Sequence, residues 1–99
     1  MKNAYLAHIT LPEEFTLELY KLIPKQRALI NELRKRRIIL SYSLDMERSN
    51  VWAFIAASSE HEVMDILSTF PIIKFVKVSI HELAFHETAA NPMPDLIMN

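Results

Sequence analysis

Four histidines are the residues of this chain best suited to proton transfer near neutral pH. His8 and His81 alternate with apolar neighbours in two predicted strands, and His86 closes the second of these strands. His61 lies in the first turn of a predicted helix, where we expect it to be solvated. A strand histidine is either a catalytic acid or base, or a hydrogen-bonded structural residue, which is the more common case. No histidine spacing matches a metal-binding motif, so no metal is expected.

Gln26 is the third candidate catalytic residue, beside His8 and His81. It lies on the midline of an apolar stripe with helical spacing, made of Phe15, Leu19, Leu22, Leu29 and Leu33. A polar side chain there finds hydrogen-bond partners or costs about 1–3 kcal/mol. Two interpretations remain open. The amide either bonds to the backbone near the helix bend that Pro24 predicts, or lines a pocket and offers a donor and an acceptor to a ligand.

Polar and aromatic residues on the predicted strands are candidates for the walls of a binding site. Ser41 and Tyr42 lie on the second strand, Trp52 on the third, and His86 at the end of the fourth. Packing in the core or against another chain is the more common role of a large aromatic residue such as Trp52. Both roles are consistent with the pattern.

The composition excludes several classes of protein. The chain has 99 residues, of which 51% are hydrophobic, enough for one globular domain. It has no cysteine, which excludes disulfides and thiolate catalysis, and no glycine, which excludes glycine-rich phosphate-binding loops. No apolar run is long enough to span a membrane, and the first residues do not resemble a signal peptide. We therefore expect a cytoplasmic protein without a cofactor or a membrane partner.

Positive charge is concentrated in the run Arg-Lys-Arg-Arg at residues 34–37. Such a run can contact phosphates. At the C-terminus of a helix, however, cations complement the helix dipole and need no partner. Because the pI is near 6.4, we favour the second interpretation and expect no nucleic-acid partner.

The hydrophobic pattern predicts four strands and two helices in one domain, residues 1–88. The strands are predicted at residues 5–11, 38–44, 51–57 and 75–86. The first helix is predicted to start at Pro12, and the second follows a capping box at Ser59. The order β-α-β-β-α-β is the ferredoxin-like arrangement of the α+β class, a four-stranded antiparallel sheet with both helices on one face. In it the fourth strand adjoins the first, which can bring His8 and His81 onto one face.

The other face of that sheet has no helix to cover it. The third strand is apolar on both faces, through Val51, Trp52, Phe54 and Ile55. We therefore expect a homodimer or a larger homo-oligomer in which a second copy packs sheet against sheet. Residues 89–99 are apolar but interrupted by prolines, and we expect them to form an arm on a neighbouring chain.

Several segments resemble the muconolactone delta-isomerase family of dimeric α/β barrel proteins. The resemblance rests on Ala-His-Ile-Thr-Leu-Pro at residues 7–12, on Val-Trp-Ala-Phe at residues 51–54 and, above all, on residues 62–86. In the last segment a helix ending Leu-Ser-Thr-Phe-Pro-Ile leads into an alternating strand and a Leu-x-x-His ending. The resemblance covers residues 4–88 in the order of elements.

The resemblance implies a homo-oligomer that isomerises a small lactone by cofactor-free proton transfer. It also implies a small ligand, a lactone or a carboxylate-bearing molecule, between helices and sheet. The family's first helix carries a Lys and a Glu suspected of moving the proton, and these positions correspond to Ile23 and Gln26. An amide cannot accept and return a proton, so catalysis here would depend on His8 and His81. The alternatives are a non-catalytic ligand-binding or assembly module on the same barrel, and a cofactor-free oxygenase of the related antibiotic-biosynthesis type.

Overall fold

The computed structural model describes residues 2–89, which form a four-stranded antiparallel sheet with two α-helices. The elements in chain order are β1 (Asn3–Thr10), α1 (Leu17–Lys35), β2 (Ile39–Leu44), β3 (Asn50–Ala57), α2 (Glu60–Ser68) and β4 (Lys77–Glu82). The strand order β2-β3-β1-β4 puts β1 and β3 in the centre and β4 beside β1. The predicted α+β class and β-α-β-β-α-β order are therefore confirmed.

The sheet has two unlike faces because side chains alternate along each strand. The helix face packs against both helices and carries the buried residues of the central strands, which include Tyr5, Ala7, Ile9, Val51, Ala53 and Ile55. The open face carries neither of the two described helices, and its residues include Leu6, His8, Trp52, Phe54, Ser79 and His81. The central residues of the open face are only half-buried.

Helix α1 begins later than the hydrophobic pattern predicted. Oγ1 of Thr16 accepts a hydrogen bond from the backbone N–H of Leu19 at 3.2 Å and so caps the helix. The first helical residue is therefore Leu17, and not Pro12. Pro24 lies inside the helix, as expected.

Helix α2 begins at the predicted cap. Oγ of Ser59 accepts a hydrogen bond from the backbone N–H of Glu62 at 3.1 Å. The Glu62 carboxylate in turn accepts from the N–H of Ser58 at 3.3 Å, one residue earlier than in a standard capping box. Val63 and Leu67 then pack fully buried on the helix face of the sheet.

Two turns are made by arginines in the left-handed backbone conformation. Arg37 follows α1 and Arg48 lies in the hairpin between β2 and β3, each with φ of 59°. The N–H of Arg37 donates to the carbonyl of Arg34, and the N–H of Arg48 donates to the carbonyl of Asp45, both at 3.0 Å. This conformation favours glycine. Because the chain contains no glycine, side-chain-bearing residues occupy both turns.

Strand β4 is shorter than the predicted residues 75–86. A single turn of 3-10 helix at Ile73–Phe75 precedes it. In the described segment that follows it, the N–H of Leu83 still donates to the β1 backbone, at 3.1 Å. His86 therefore lies outside the strand. Its ring stacks on the Phe54 ring of the open face, with centroids 4.4 Å apart.

Apart from Ala89, the predicted arm at residues 89–99 lies outside the described residues. Among residues 2–89, no helix combines the length and the hydropathy that crossing a membrane requires.

Candidate functional site

A cavity of about 370 Å³ lies between α1 and the helix face of the sheet. Much of its wall is aliphatic or aromatic, and this part includes Leu11, Phe15, Leu19, Ile23, Ile30 and Val51. The polar part of the wall consists of Gln26, Arg27, Asn31, Arg34, Tyr42 and Arg48. An apolar cavity with a few polar groups is typical of a site for a small organic molecule.

Gln26 is the buried polar residue of this wall. It lies on α1 and is 4% exposed, and its Oε1 accepts a hydrogen bond from the backbone N–H of Ile72 at 3.4 Å. Because an N–H group can only donate, the oxygen of the amide must face Ile72, and this sets the orientation of the side chain. Nε2 then has no hydrogen-bond partner among the described residues.

Tyr42 lies on β2 and contributes its phenol to the same wall. Burial raises the pKa of Tyr42 above its ordinary value, and the nearby Gln26 amide opposes that rise. Among the described residues, no hydrogen bond of standard distance and angle reaches Nε2 of Gln26, so this group is an available donor. With its raised pKa, the phenol is neutral at pH 7.

The cavity wall contains no Asp, Glu, His or Lys from the described part of the chain. Its polar groups are guanidinium ions, amides and a neutral phenol, which donate hydrogen bonds readily but do not take a proton from carbon at neutral pH. The cavity is therefore equipped to bind and orient a ligand.

His8 lies on the open face, on the other side of the sheet from Gln26. Its Nε2 is 2.9 Å from Oδ1 of Asn50, and Nδ2 of Asn50 donates to Oδ2 of Asp45 at 2.9 Å. Since the Asn50 oxygen accepts, Nε2 of His8 donates to it, and in the corresponding tautomer of imidazole the acceptor lone pair is on Nδ1. The ring stacks on Trp52 with centroids 5.7 Å apart and planes 7° apart.

His81 shares the open face with His8, as the strand order predicted. His81 pairs with Leu6 and His8 pairs with Ser79 across β1 and β4, which makes the two histidines diagonal neighbours. Nε2 of His81 is 3.5 Å from Oγ of Ser79, and both side chains are exposed.

The remaining histidines have surroundings of a different kind. Nε2 of His86 is buried and lacks a hydrogen-bond partner among residues 2–89. His61 is exposed, 3.6 Å from Asp65 one helical turn away. In the described part of the chain, no three His, Asp or Glu side chains come close enough together to hold a metal ion.

The structure divides the candidate residues between the two faces of the sheet. Gln26 and Tyr42 line the cavity. The open face receives the others: His8, Ser41, Trp52, His81 and, beyond β4, His86. The three catalytic candidates therefore do not share one cavity, because a β-sheet separates Gln26 from His8 and His81.

Sequence reasoning missed the three arginines of the cavity wall. Arg27 and Arg34 lie on α1 with helical spacing to the apolar stripe, a signal that was present in the sequence. Arg48 reaches the cavity from the hairpin that follows β2, and no local pattern indicates that approach.

No protein-family model matches this chain, and no curated protein matches its sequence.

Proposed function

We propose that this protein binds a small organic ligand in the cavity between α1 and the helix face, as a ligand-binding relative of the muconolactone delta-isomerase-like group. The observation that carries the proposal is the buried Nε2 of Gln26, which has no partner among residues 2–89. Leaving such a donor unpaired costs about 1–3 kcal/mol, and an oxygen atom of a bound ligand would offset that cost. A lactone or another carbonyl compound supplies such an oxygen.

Ligand binding is favoured over catalysis in this cavity because the described residues of its wall include no general base. The wall offers one buried donor in Gln26, a neutral phenol in Tyr42 and a large apolar surface. A cavity of about 370 Å³ falls within the range of small-molecule sites, roughly 300–1,000 Å³.

Fluorescence titration with N-phenylnaphthylamine, a neutral apolar probe, tests this proposal. Ile23 lines the cavity and is half-buried, so Ile23→Trp adds bulk to it. Lys21→Trp is the matched control, since Lys21 is exposed on the same helix and is not part of the wall. We expect saturable binding to the wild type and the control, and about tenfold weaker binding to Ile23→Trp. Equal affinity for all three proteins, or no binding to the wild type, rules out the cavity as the ligand site.

A second candidate function is cofactor-free isomerisation of a small lactone with His8 as the base. It is favoured by the bond to Asn50, which directs the Nε2 proton and leaves Nδ1 free to accept a proton. Incubation with muconolactone, followed by NMR, detects the enol-lactone product. Turnover by the wild type that His8→Ala abolishes supports this candidate. No turnover by the wild type supports the binding role.

We also propose that a second copy of the chain covers the open face, forming a dimeric α/β barrel. The half-buried side chains of Leu6, Trp52 and Phe54 form an apolar patch across the central strands. Such a patch on a small domain is typical of an interaction surface. Two-fold symmetry lets the same patch cover itself.

A further inference from the structure

Three of the four histidines lie on or against the open face of the sheet. His8 and His81 are diagonal neighbours on β1 and β4, and the ring of His86 stacks on Phe54. The fourth, His61, is exposed on α2. Histidine is the side chain that gains positive charge as pH falls from ~8 to ~5. The charge of the open face therefore depends on pH in this range.

His8 and His81 border the apolar patch that the proposed dimer covers. The ring of His8 stacks on Trp52, with centroids 5.7 Å apart, and His81 pairs with Leu6 across β1 and β4. Trp52 and Leu6 are two of the three residues that define the patch. A second copy that covers the patch therefore also covers these two imidazole rings.

The described strand residues of the open face include no Asp or Glu, and Lys77 adds a positive charge to it. Glu82 follows His81 in the chain but lies on the other face, where it accepts a hydrogen bond from the hydroxyl of Tyr5 at 3.3 Å. Two-fold symmetry places the same face of the second copy against the first. The described strands of either copy therefore bring no carboxylate to the histidines.

Asp45, in the hairpin at the end of the face, is linked to His8 through Asn50. Oδ1 of Asn50 is 2.9 Å from Nε2 of His8, and Nδ2 of Asn50 donates to Asp45. The hydrogen bonds from Asn50 hold the pKa of Asp45 below its ordinary value, so this carboxylate keeps its charge at pH ~5. One negative charge per chain still leaves an excess of positive charge when His8 and His81 are both protonated beside Lys77.

We infer that the open face is a pH-sensitive contact, at which the sheets of two copies pack while His8 and His81 are neutral and separate when these histidines are protonated. This inference rests on the proposed dimer and adds its regulation. Covering a charged ring that has no acidic partner is unfavourable, so two separate chains hold more protons than the dimer. Association therefore strengthens as pH rises and weakens as pH falls.

Light scattering over a dilution series measures the dissociation constant of the dimer at pH ~8 and at pH ~5. For the wild type we expect this constant to rise about tenfold or more at the lower pH. The double variant His8→Gln, His81→Gln keeps an amide donor beside Asn50 but no titratable ring, and its two constants should agree within about twofold. His61→Gln is the matched control, because it removes an exposed histidine on α2 and should respond to pH as the wild type does.

The outcomes separate the dimer from its regulation. A wild type that is monomeric at pH ~8 overturns the proposed dimer and the inference with it. A wild-type dissociation constant that is the same at both pH values leaves the dimer standing and shows that the inference is wrong. The inference is also wrong if the double variant still responds to pH, or if His86→Gln alone removes the response.

Circular dichroism of each protein at both pH values distinguishes dissociation from unfolding. The wild type should keep its native spectrum at pH ~5, and loss of that spectrum would mean that unfolding, and not the open face, separates the chains. If the double variant does not fold, the single variants His8→Gln and His81→Gln replace it. Each should then show a smaller response to pH than the wild type, and a full response in both contradicts the inference.

Discussion

Oε1 of Gln26 accepts a hydrogen bond from the backbone N–H of Ile72 at 3.4 Å, and this contact joins α1 to the segment that follows α2. The two residues are 46 positions apart in the chain. The bond uses the acceptor of the amide and leaves its donor, Nε2, unpaired among residues 2–89. One half of the side chain is therefore structural and the other half is available to a ligand.

Gln26→Glu should make stability depend on pH. The carboxylate keeps an acceptor for Ile72, but burial raises its pKa in the folded protein above the unfolded value of about 4.3. The variant is then closest to the wild type below pH ~4, and it loses stability as pH rises through the folded-state pKa. Urea unfolding should show that the free energy of unfolding of Gln26→Glu, relative to the wild type, is lower at pH ~8 than at pH ~4 by about 1–3 kcal/mol. Gln26→Met is the uncharged control, and a deficit that does not change with pH contradicts the prediction.

The same substitution should raise lactone isomerisation from a weak or absent wild-type level. Moving a double bond requires a group that takes a proton from carbon and returns it, and a general base contributes about 10²–10⁴-fold. Gln26 cannot act in this way, whereas a glutamate with a raised pKa can. Rates with muconolactone are measured beside the melting temperature, so that loss of folded protein is not taken for loss of activity. Strong wild-type turnover that depends on His8 and not on Gln26 would overturn this prediction.

Acid should weaken the hairpin between β2 and β3 through Asp45. Hydrogen bonds from the side chain and backbone of Asn50, and from the backbone of Ser49, hold the pKa of Asp45 below its ordinary value. A lowered folded-state pKa means that the stabilisation is present above the unfolded pKa of about 3.9 and is lost as pH falls through the folded value. Unfolding measured between pH ~5 and ~2 should show this loss in the wild type and not in Asp45→Asn. If the wild type and Asp45→Asn lose the same stability as pH falls, Asp45 is not the source of that loss.

Light scattering at micromolar concentration should give at least twice the chain mass of 11.5 kDa. Leu6→Glu places a charge at the centre of the open face and should reduce the mass to that of one chain, because a buried unpaired carboxylate disfavours the interface. Met64→Glu is the control, since Met64 is exposed on α2. A wild-type mass of 11.5 kDa, or a Leu6→Glu mass equal to that of the wild type, contradicts the sheet-to-sheet dimer.

Arg37→Gly and Arg48→Gly should both stabilise the fold slightly. The left-handed conformation of each arginine costs about 1–2 kcal/mol relative to glycine, and the greater freedom of glycine in the unfolded chain cancels part of the gain. We expect urea denaturation to show that the free energy of unfolding rises by about 0.5–1 kcal/mol in each variant. Destabilisation of either variant would show that the arginine side chain contributes more to stability than its backbone conformation costs.

Much of the fold was predictable because its signals are local. The apolar runs of β1 and β3 and the cap at Ser59 each depend on neighbouring residues, and they predicted these elements in their observed order. The start of α1 was not predicted because Thr16 competes with Pro12 as a start signal, and the hydroxyl cap decides the boundary. The length of β4 was overestimated because alternation continues past the last residue that has a pairing partner.

The sequence by itself determined the fold class, the strand that would be apolar on both faces, and the burial of Gln26 on an apolar stripe. The predicted strand order also indicated that His8 and His81 could share a face of the sheet, but it did not indicate which face the helices cover. Only the tertiary structure decided that these histidines lie across the sheet from Gln26. It also decided that Arg48 joins Gln26 at one cavity. Both outcomes depend on contacts between residues far apart in the chain, which no local pattern encodes.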